Sequence, residues 1–235
     1  MGFLQDVLSM FKKRELALIA SNKEADGVYT FLFEKGKDMN WQPGQYGLFT
    51  ITHKKVKNPT KPFSIASAPS ENAVRLTMRI GDAPSEFKKA MLELQPGMTI
   101  KMTGPVGSFS LQDSSPSLLI AGGIGITPFR AIAKQLEAEG KRNGRPVHLL
   151  YLDSEGFYPY KEELESIEER TSLRITYLQS RDALNQEIDK FAGEHKGSGK
   201  YFVAGPKGMV DSISEYVQKN GVSKANIKKD AFFGY

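Results

Sequence analysis

Cysteine is absent from this chain of 235 residues. That excludes disulfides, iron–sulfur clusters on cysteine thiolates and any cysteine nucleophile. Histidine is scarce. His53, His148 and His195 are scattered along the chain, which argues against a zinc site. No apolar run reaches the length of a membrane span and no signal peptide is evident, so a cytoplasmic location is expected. Basic and aromatic residues do not cluster together, and no nucleic-acid partner is expected. There is no internal repeat and no low-complexity tract.

What is there divides into two halves with different periods. Up to about residue 113 the chain reads as short strands: Leu16 to Ile19, Val28 to Phe33, Tyr46 to Thr52, Phe63 to Ala66, Val74 to Ile80 and Thr99 to Met102. Turn signals such as Gln42-Pro43-Gly44 and Pro96-Gly97 separate them. One helix interrupts, starting near Ser85 and turning Phe87, Ala90, Met91 and Leu94 inward. This pattern predicts an antiparallel, Greek-key β-barrel over residues 1–113.

From residue 114 strands and helices alternate. The strands are Leu118 to Ala121, Val147 to Leu152, Leu173 to Leu178 and Tyr201 to Ala204. Helices are expected over Pro128 to Glu139, over Tyr160 to Glu169 and from Pro206 onward. This predicts a doubly wound parallel sheet over 114–235, with the break in the polar run Gln112 to Ser117. The expected class is therefore two-domain, β followed by α/β.

Two surface features stay open. The net charge of +5 is either a solvated basic surface or a docking face for an acidic partner. Within residues 1–13, Phe3, Leu4, Val7, Leu8 and Phe11 recur at helical spacing, and Lys12-Lys13-Arg14 follows. This amphipathic segment either packs on its own protein or lies at a membrane surface, giving peripheral contact through residues 1–14.

The most informative stretch is Leu118 to Phe129. An apolar strand breaks into Gly122, Gly123 and Gly125, and Thr127-Pro128 opens a helix, with Thr127 as expected N-cap. A glycine turn there presents backbone N–H groups at the positive end of a helix dipole, a place for phosphate. Ala204-Gly205-Pro206-Lys207-Gly208-Met209 is a second strand–helix junction of this kind. In the first half, Lys61-Pro62-Phe63-Ser64-Ile65-Ala66-Ser67 combines a cation, an aromatic ring and a hydroxyl. Strand alternation would put Lys61 and Phe63 on one face and Ser64 on the other. Read alone, it is also an ordinary strand with a core phenylalanine. Gly104-Pro105-Val106-Gly107-Ser108-Phe109 closes this half.

Taken in order, these motifs resemble the ferredoxin–NADP reductase superfamily, and most nearly its compact bacterial members. The resemblance runs from Gln42-Pro43-Gly44-Gln45-Tyr46 to the C-terminal Phe-Phe-Gly-Tyr. It implies FAD in the β-barrel, with Lys61 and the adjoining Pro62 at the flavin diphosphate. Phe63 would stack on the flavin ring, and Ser64 would hydrogen-bond near its N5. Arg79, Ile80 and Ser85 match positions along the ribityl chain and diphosphate. In the α/β half, Gly123, Gly125 and Thr127 would hold the pyridine-nucleotide diphosphate, and Gly205, Pro206 and Met209 would border the nicotinamide. An aromatic near the C-terminus covers the flavin in many relatives; Phe232, Phe233 and Tyr235 are the candidates.

Three residues depart from the family pattern. Lys61 stands for arginine and loses the bidentate fork. Phe63 stands for the more frequent tyrosine, as in the flavin reductases of the superfamily. Ala204 stands for a frequent cysteine beside the nicotinamide.

Two signals bear on the nucleotide. Asp153 ends the second parallel strand, where an acid can bond the ribose of NAD in a simple Rossmann domain. Ser180-Arg181 ends the third, and in this superfamily such a pair binds the 2′-phosphate of NADP. NADPH is therefore the expected donor, with NAD as alternative. The implied activity is hydride transfer from NADPH to flavin N5, then one-electron transfer to ferredoxin, flavodoxin or a membrane-bound redox partner. An NAD(P)H:flavin or ferric reductase with loosely bound flavin, and an electron-relay or redox-sensing subunit of a larger assembly, are the alternatives.

Overall fold

The computed structural model describes residues 12–25, 27–140, 144, 146–195 and 197–232. The chain divides into two compact units, one ending at Ser110 and the other beginning at Leu111.

Among the described residues, the first unit contains β1 (Lys13–Ala25), β2 (Val28–Glu34), β3 (Tyr46–Thr50), β4 (Thr60–Ser64), β5 (Ala73–Arg79), β6 (Thr99–Val106) and one α-helix, α1 (Glu86–Leu92). The strands form one antiparallel sheet in the order β4-β3-β6-β1-β2-β5. Its two ends meet just past β4. Ala66 N–H donates to Arg75 O (2.9 Å), and Arg75 N–H donates to Ser67 Oγ (3.0 Å). Joining the ends leaves little free edge for another chain to pair with. Phe31, Phe33, Phe49, Leu76, Ile100 and Met102 fill the interior, together with Phe87, Ala90 and Met91 of α1. The helical spacing read from the sequence therefore does point α1 into the core.

β1 starts earlier than the sequence pattern suggests. Lys13 and Arg14 pair with Thr103 and Met102, and Arg14 Nη1 donates to Gly104 O (2.7 Å). Lys12 pairs with Asp38. The basic stretch read as the flank of an N-terminal helix is thus tied to the barrel. The amphipathic residues before it, 1–11, lie outside the described residues. No helix among the described residues is long and apolar enough to cross a membrane.

The second unit is a parallel sheet of β7 (Ser117–Gly122), β8 (Val147–Leu152), β9 (Leu173–Leu178), β10 (Lys200–Pro206) and β11 (Ile227–Phe232), in the order β11-β10-β7-β8-β9. Four helices connect the strands: α2 (Thr127–Glu139), α3 (Lys161–Arg170), α4 (Arg181–His195) and α5 (Lys207–Lys219). Leu118, Ile120, Leu150, Tyr201 and Val203 pack with Leu184, Ile188, Val210, Ile213 and Val217 of α4 and α5. The alternate residues Leu119 and Leu149 are buried on the other face of the sheet.

α4 and β11 are not evident from the sequence pattern. Only Leu184, Ile188 and Phe191 of α4 are buried, and β11 is an edge strand carrying Lys228, Lys229 and Asp230. Both are held mainly by the elements beside them, so their own apolar periodicity is weak.

His148 on β8 packs under α4, with Nε2 2.8 Å from Thr176 Oγ1. Burial, helped by the Arg174 charge and offset by Glu187 and Glu194, pushes its pKa down from 6.5 to about 4. The unfolded chain therefore takes up this proton first as pH falls. This contribution to stability is complete above about pH 6.5 and is lost as pH drops towards 4. Urea midpoints measured from pH 4 to 7 are expected to fall on the acid side, with a shallower slope in His148→Asn. An unchanged slope in that variant would place the titration elsewhere.

Candidate functional site

The parallel sheet reverses its order at β7. β8 and β9 are added on one side of it, β10 and β11 on the other. In open α/β sheets the crevice at such a switch point, at the carboxyl ends of the strands, is where ligands bind. Here those ends are Gly122 on β7 and Gly205-Pro206 on β10.

The glycines at this point have separate physical reasons. A Cβ on Gly125 would lie 2.3 Å from Ala204 O and 2.7 Å from Gly205 Cα. One on Gly122 would lie 2.1 Å from Met209 Sδ. Gly125 is glycine because the turn after β7 packs on the backbone of β10, and Gly122 because the Met209 side chain fills the place of a Cβ. Gly123 differs. Its φ is +50°, and a Cβ there would meet only Asp153 Oδ2, at 3.8 Å. It faces open space, as a residue beside a ligand would.

Thr127 is not the helix cap that the sequence suggests. A 3-10 turn over Gly123–Ile126 runs straight into α2, so the helical head lies further back, at the glycines. Thr127 Oγ1 donates to Ile124 O (3.2 Å), and the residue is 3% exposed. Its hydroxyl closes the turn from inside.

Asp153 is likewise turned to local work. Its Oδ1 accepts from Glu155 N–H (3.0 Å) and Phe157 N–H (3.1 Å), which folds the loop after β8. Arg130 on α2 braces the same region. It is 2% exposed and grips Glu163 through Nε–Oε2 (2.8 Å) and Nη2–Oε1 (2.6 Å), with the Tyr160 ring 5.0 Å from its guanidinium carbon.

Ser180 and Arg181 do not end a strand; they begin a helix. β9 stops at Leu178, and Ser180 Oγ accepts from Ala183 N–H (3.2 Å) at the head of α4. Arg181 Nε donates to Asn185 Oδ1 (3.2 Å), and its Nη1 donates to Ser212 Oγ (3.2 Å) on α5. A serine, an arginine and a helix N-terminus together make a local preference for an anion.

In the β unit, β4 pairs with β3 so that Phe63 lies opposite Gly47 and Ser64 opposite Tyr46. The Phe63 ring stacks on Phe87 of α1 (5.5 Å, 28°) and tilts against Phe49 (6.4 Å). This half-buried ring is partly committed to the barrel's core, leaving less of it for a ligand than the sequence suggests. Ser64 is 6% exposed and Lys61 half-buried. Pro62 is exposed on β4, which has a neighbouring strand on only one side in the sheet order, the position where proline is tolerated. Ser85 caps α1, accepting from Lys88 N–H (3.4 Å). Arg79 is exposed at the end of β5, and Ile80 N–H donates to Gly27 O (2.7 Å).

Residues 119–215 match the oxidoreductase NAD-binding domain family model. Ferredoxin–NADP reductase B of Sorangium cellulosum (strain So ce56) is 34% identical over a segment covering 67% of this chain and 60% of that protein. The chain carries an NAD-binding oxidoreductase domain and is similar to ferredoxin reductases over most of its length. Flavohemoprotein A of Dictyostelium discoideum is 24% identical, over 93% of this chain and 60% of its own length. The chain spans about three-fifths of the length of the curated relatives it matches. A ferredoxin NADP+ reductase from Neisseria gonorrhoeae, solved with bound FAD and NADP, superposes with a TM-score of 0.75 at 17% identity, covering 94% of this chain and 99% of that one. That likeness shows the shared two-domain fold.

Phe232 ends β11 and is half-buried, while Phe233 and Tyr235 lie outside the described residues. Arg130, Asn185 and Ser212 carry no signal in the sequence. Each acts through a partner on another turn or helix, and no local motif marks them.

Proposed function

We propose that the protein is an FAD-dependent NAD(P)H oxidoreductase that draws on NADPH and passes electrons to a small redox protein such as a ferredoxin or flavodoxin. The observation that carries this reading is the glycine-built switch point of the parallel sheet, with Ser180 and Arg181 heading α4. The residues present in the β unit also suit a flavin dinucleotide. Lys61 and Arg79 are cations fit for a diphosphate, Ser85 heads α1, and the Phe63–Phe87 contact brings β4 and that helix together.

FAD, when bound, supplies the conversion of a hydride donor's electron pair into single-electron transfers. The chain's own side chains bind and orient. Lys61 and Arg79 would neutralise the flavin diphosphate, Phe63 would lie against the flavin ring, and Ser64 would hydrogen-bond at N5. Gly123 and the head of α2 would take the nicotinamide nucleotide's diphosphate, with Gly205, Pro206 and Met209 beside the nicotinamide. Ser180 and Arg181 would hold the 2′-phosphate. No side chain is required as a strong base, because hydride carries its own electron pair.

The charge distribution supports an acidic electron acceptor. Residues 1–110 hold 15 of the 32 Lys and Arg but only 10 of the 27 Asp and Glu, whereas residues 111–235 hold 17 of each. All the excess positive charge is therefore on the unit assigned to the flavin, which would steer an acidic carrier there.

The test is a visible spectrum of the purified protein, followed by anaerobic addition of NADPH and, separately, NADH. Flavin bands that bleach faster with NADPH are expected. Ser64→Ala should keep its flavin and bleach about tenfold more slowly, the worth of one hydrogen bond. A colourless protein that reduces only added free flavin would replace this reading with the flavin-reductase one.

A further inference from the structure

We infer that Ser212 and Asn185 are positioning residues that aim Arg181, and that they set the preference for a nucleotide carrying a 2′-phosphate; this rests on the reading of Arg181 given above. A guanidinium has five N–H donors in one plane. In Arg181, Nε is held by Asn185 Oδ1 one helical turn along, and Nη1 by Ser212 Oγ, 31 residues away on α5. Two anchors on different atoms of a planar group fix both its place and its tilt. Three N–H donors are left for a phosphate.

The anchors are well chosen chemically. Both are neutral oxygens, so they orient the cation without cancelling its charge. A carboxylate at either position would orient it equally well and compete with the phosphate. Ser212 is itself oriented. Its hydroxyl donates to Met209 O (3.0 Å), which turns a lone pair towards Arg181.

The anchor is also coupled to the glycine turn. Met209 Sδ occupies the space where a Cβ of Gly122 would stand. The first two turns of α5 therefore seat the β7 turn through Met209 and aim Arg181 through Ser212. A nucleotide bridging the two phosphate positions would meet a spacing set by one rigid element.

The experiment measures NADP+ and NAD+ dissociation constants by calorimetry on the full chain, with NADPH and NADH steady-state kinetics alongside. Ser212→Ala and Asn185→Ala should each raise the NADP+ to NAD+ ratio of dissociation constants about three- to tenfold, the loss of one hydrogen bond. The change should appear in KM for NADPH and not in kcat. Ser212→Thr, which keeps the hydroxyl, should restore the ratio, and Ser212→Asp should worsen it beyond Ser212→Ala. In an Arg181→Ala background, Ser212→Ala should add nothing.

If Arg181→Ala is selective for NADP+ while Ser212→Ala shifts both nucleotides alike or neither, the positioning role is wrong and the 2′-phosphate reading stands. If Arg181→Ala itself weakens both nucleotides equally, the 2′-phosphate reading falls and the positioning role falls with it.

Discussion

Gly125→Ala should destabilise the protein by about 3 kcal/mol, at the upper end of overpacking costs, whereas Gly123→Ala should fold and lose nucleotide. The two glycines are two residues apart in one turn, yet their surroundings are opposite. A methyl on Gly125 would press on Ala204 O at 2.3 Å and Gly205 Cα at 2.7 Å. Both are backbone atoms of β10, a strand paired along its length with β7, so nothing nearby gives way cheaply. A methyl on Gly123 meets no atom closer than 3.8 Å. Its folding cost is the left-handed backbone alone, about 1–2 kcal/mol. That methyl would, however, enter the space assigned to the diphosphate. NADP+ affinity should drop about tenfold or more, as charge-assisted hydrogen bonds lengthen. Urea unfolding and NADP+ calorimetry on both variants separate the two roles. A Gly125→Ala protein as stable as the parent would show that the β7 and β10 turns are not locked together.

The second large effect concerns the Arg130–Glu163 pair, where removing the more exposed partner should do more harm. Arg130 is 2% exposed, while the Glu163 side chain is 31% exposed. Glu163→Ala leaves a desolvated guanidinium without its bidentate carboxylate. The expected loss is about 3 kcal/mol, the lower end for a broken buried pair. Arg130→Met leaves a carboxylate that can reach water and lies 3.9 Å from Lys134 Nζ. Its methionine also fills much of the same volume, so the loss should be clearly smaller. Equal or reversed urea midpoints would mean that Arg130 is solvated in a way its burial denies. The pair matters for the site because Arg130 also stacks on Tyr160 (φ +67°), at the end of the loop folded by Asp153.

Much of the architecture is legible without coordinates, for identifiable reasons. Leu118 to Ala121 reads as a central strand because it is apolar on both faces and ends in glycine. α1 and α5 are legible because Phe87, Ala90 and Met91, and Val210, Ile213 and Val217, each recur at helical spacing. α4 and β11 are not, because their surfaces are largely solvated. Thr127 misleads because threonine before proline suits a cap, and nothing local reveals that a 3-10 turn has begun the helix earlier. Phe63 was ambiguous between a core ring and a flavin ring, and the Phe87 contact shows that at least part of it is core.

Residue spacing and type alone carry the two periods, the glycine turn and the order of motifs that resembles the ferredoxin reductases. Those are local properties, written in spacing and residue type. The separate reasons for Gly122, Gly123 and Gly125, the place of Arg181 at the head of α4 and not the end of β9, and the approach of Asn185 and Ser212 to its guanidinium come from the folded chain. These are contacts between elements distant along the chain, and strand order and helix packing set them after the local signals have been used.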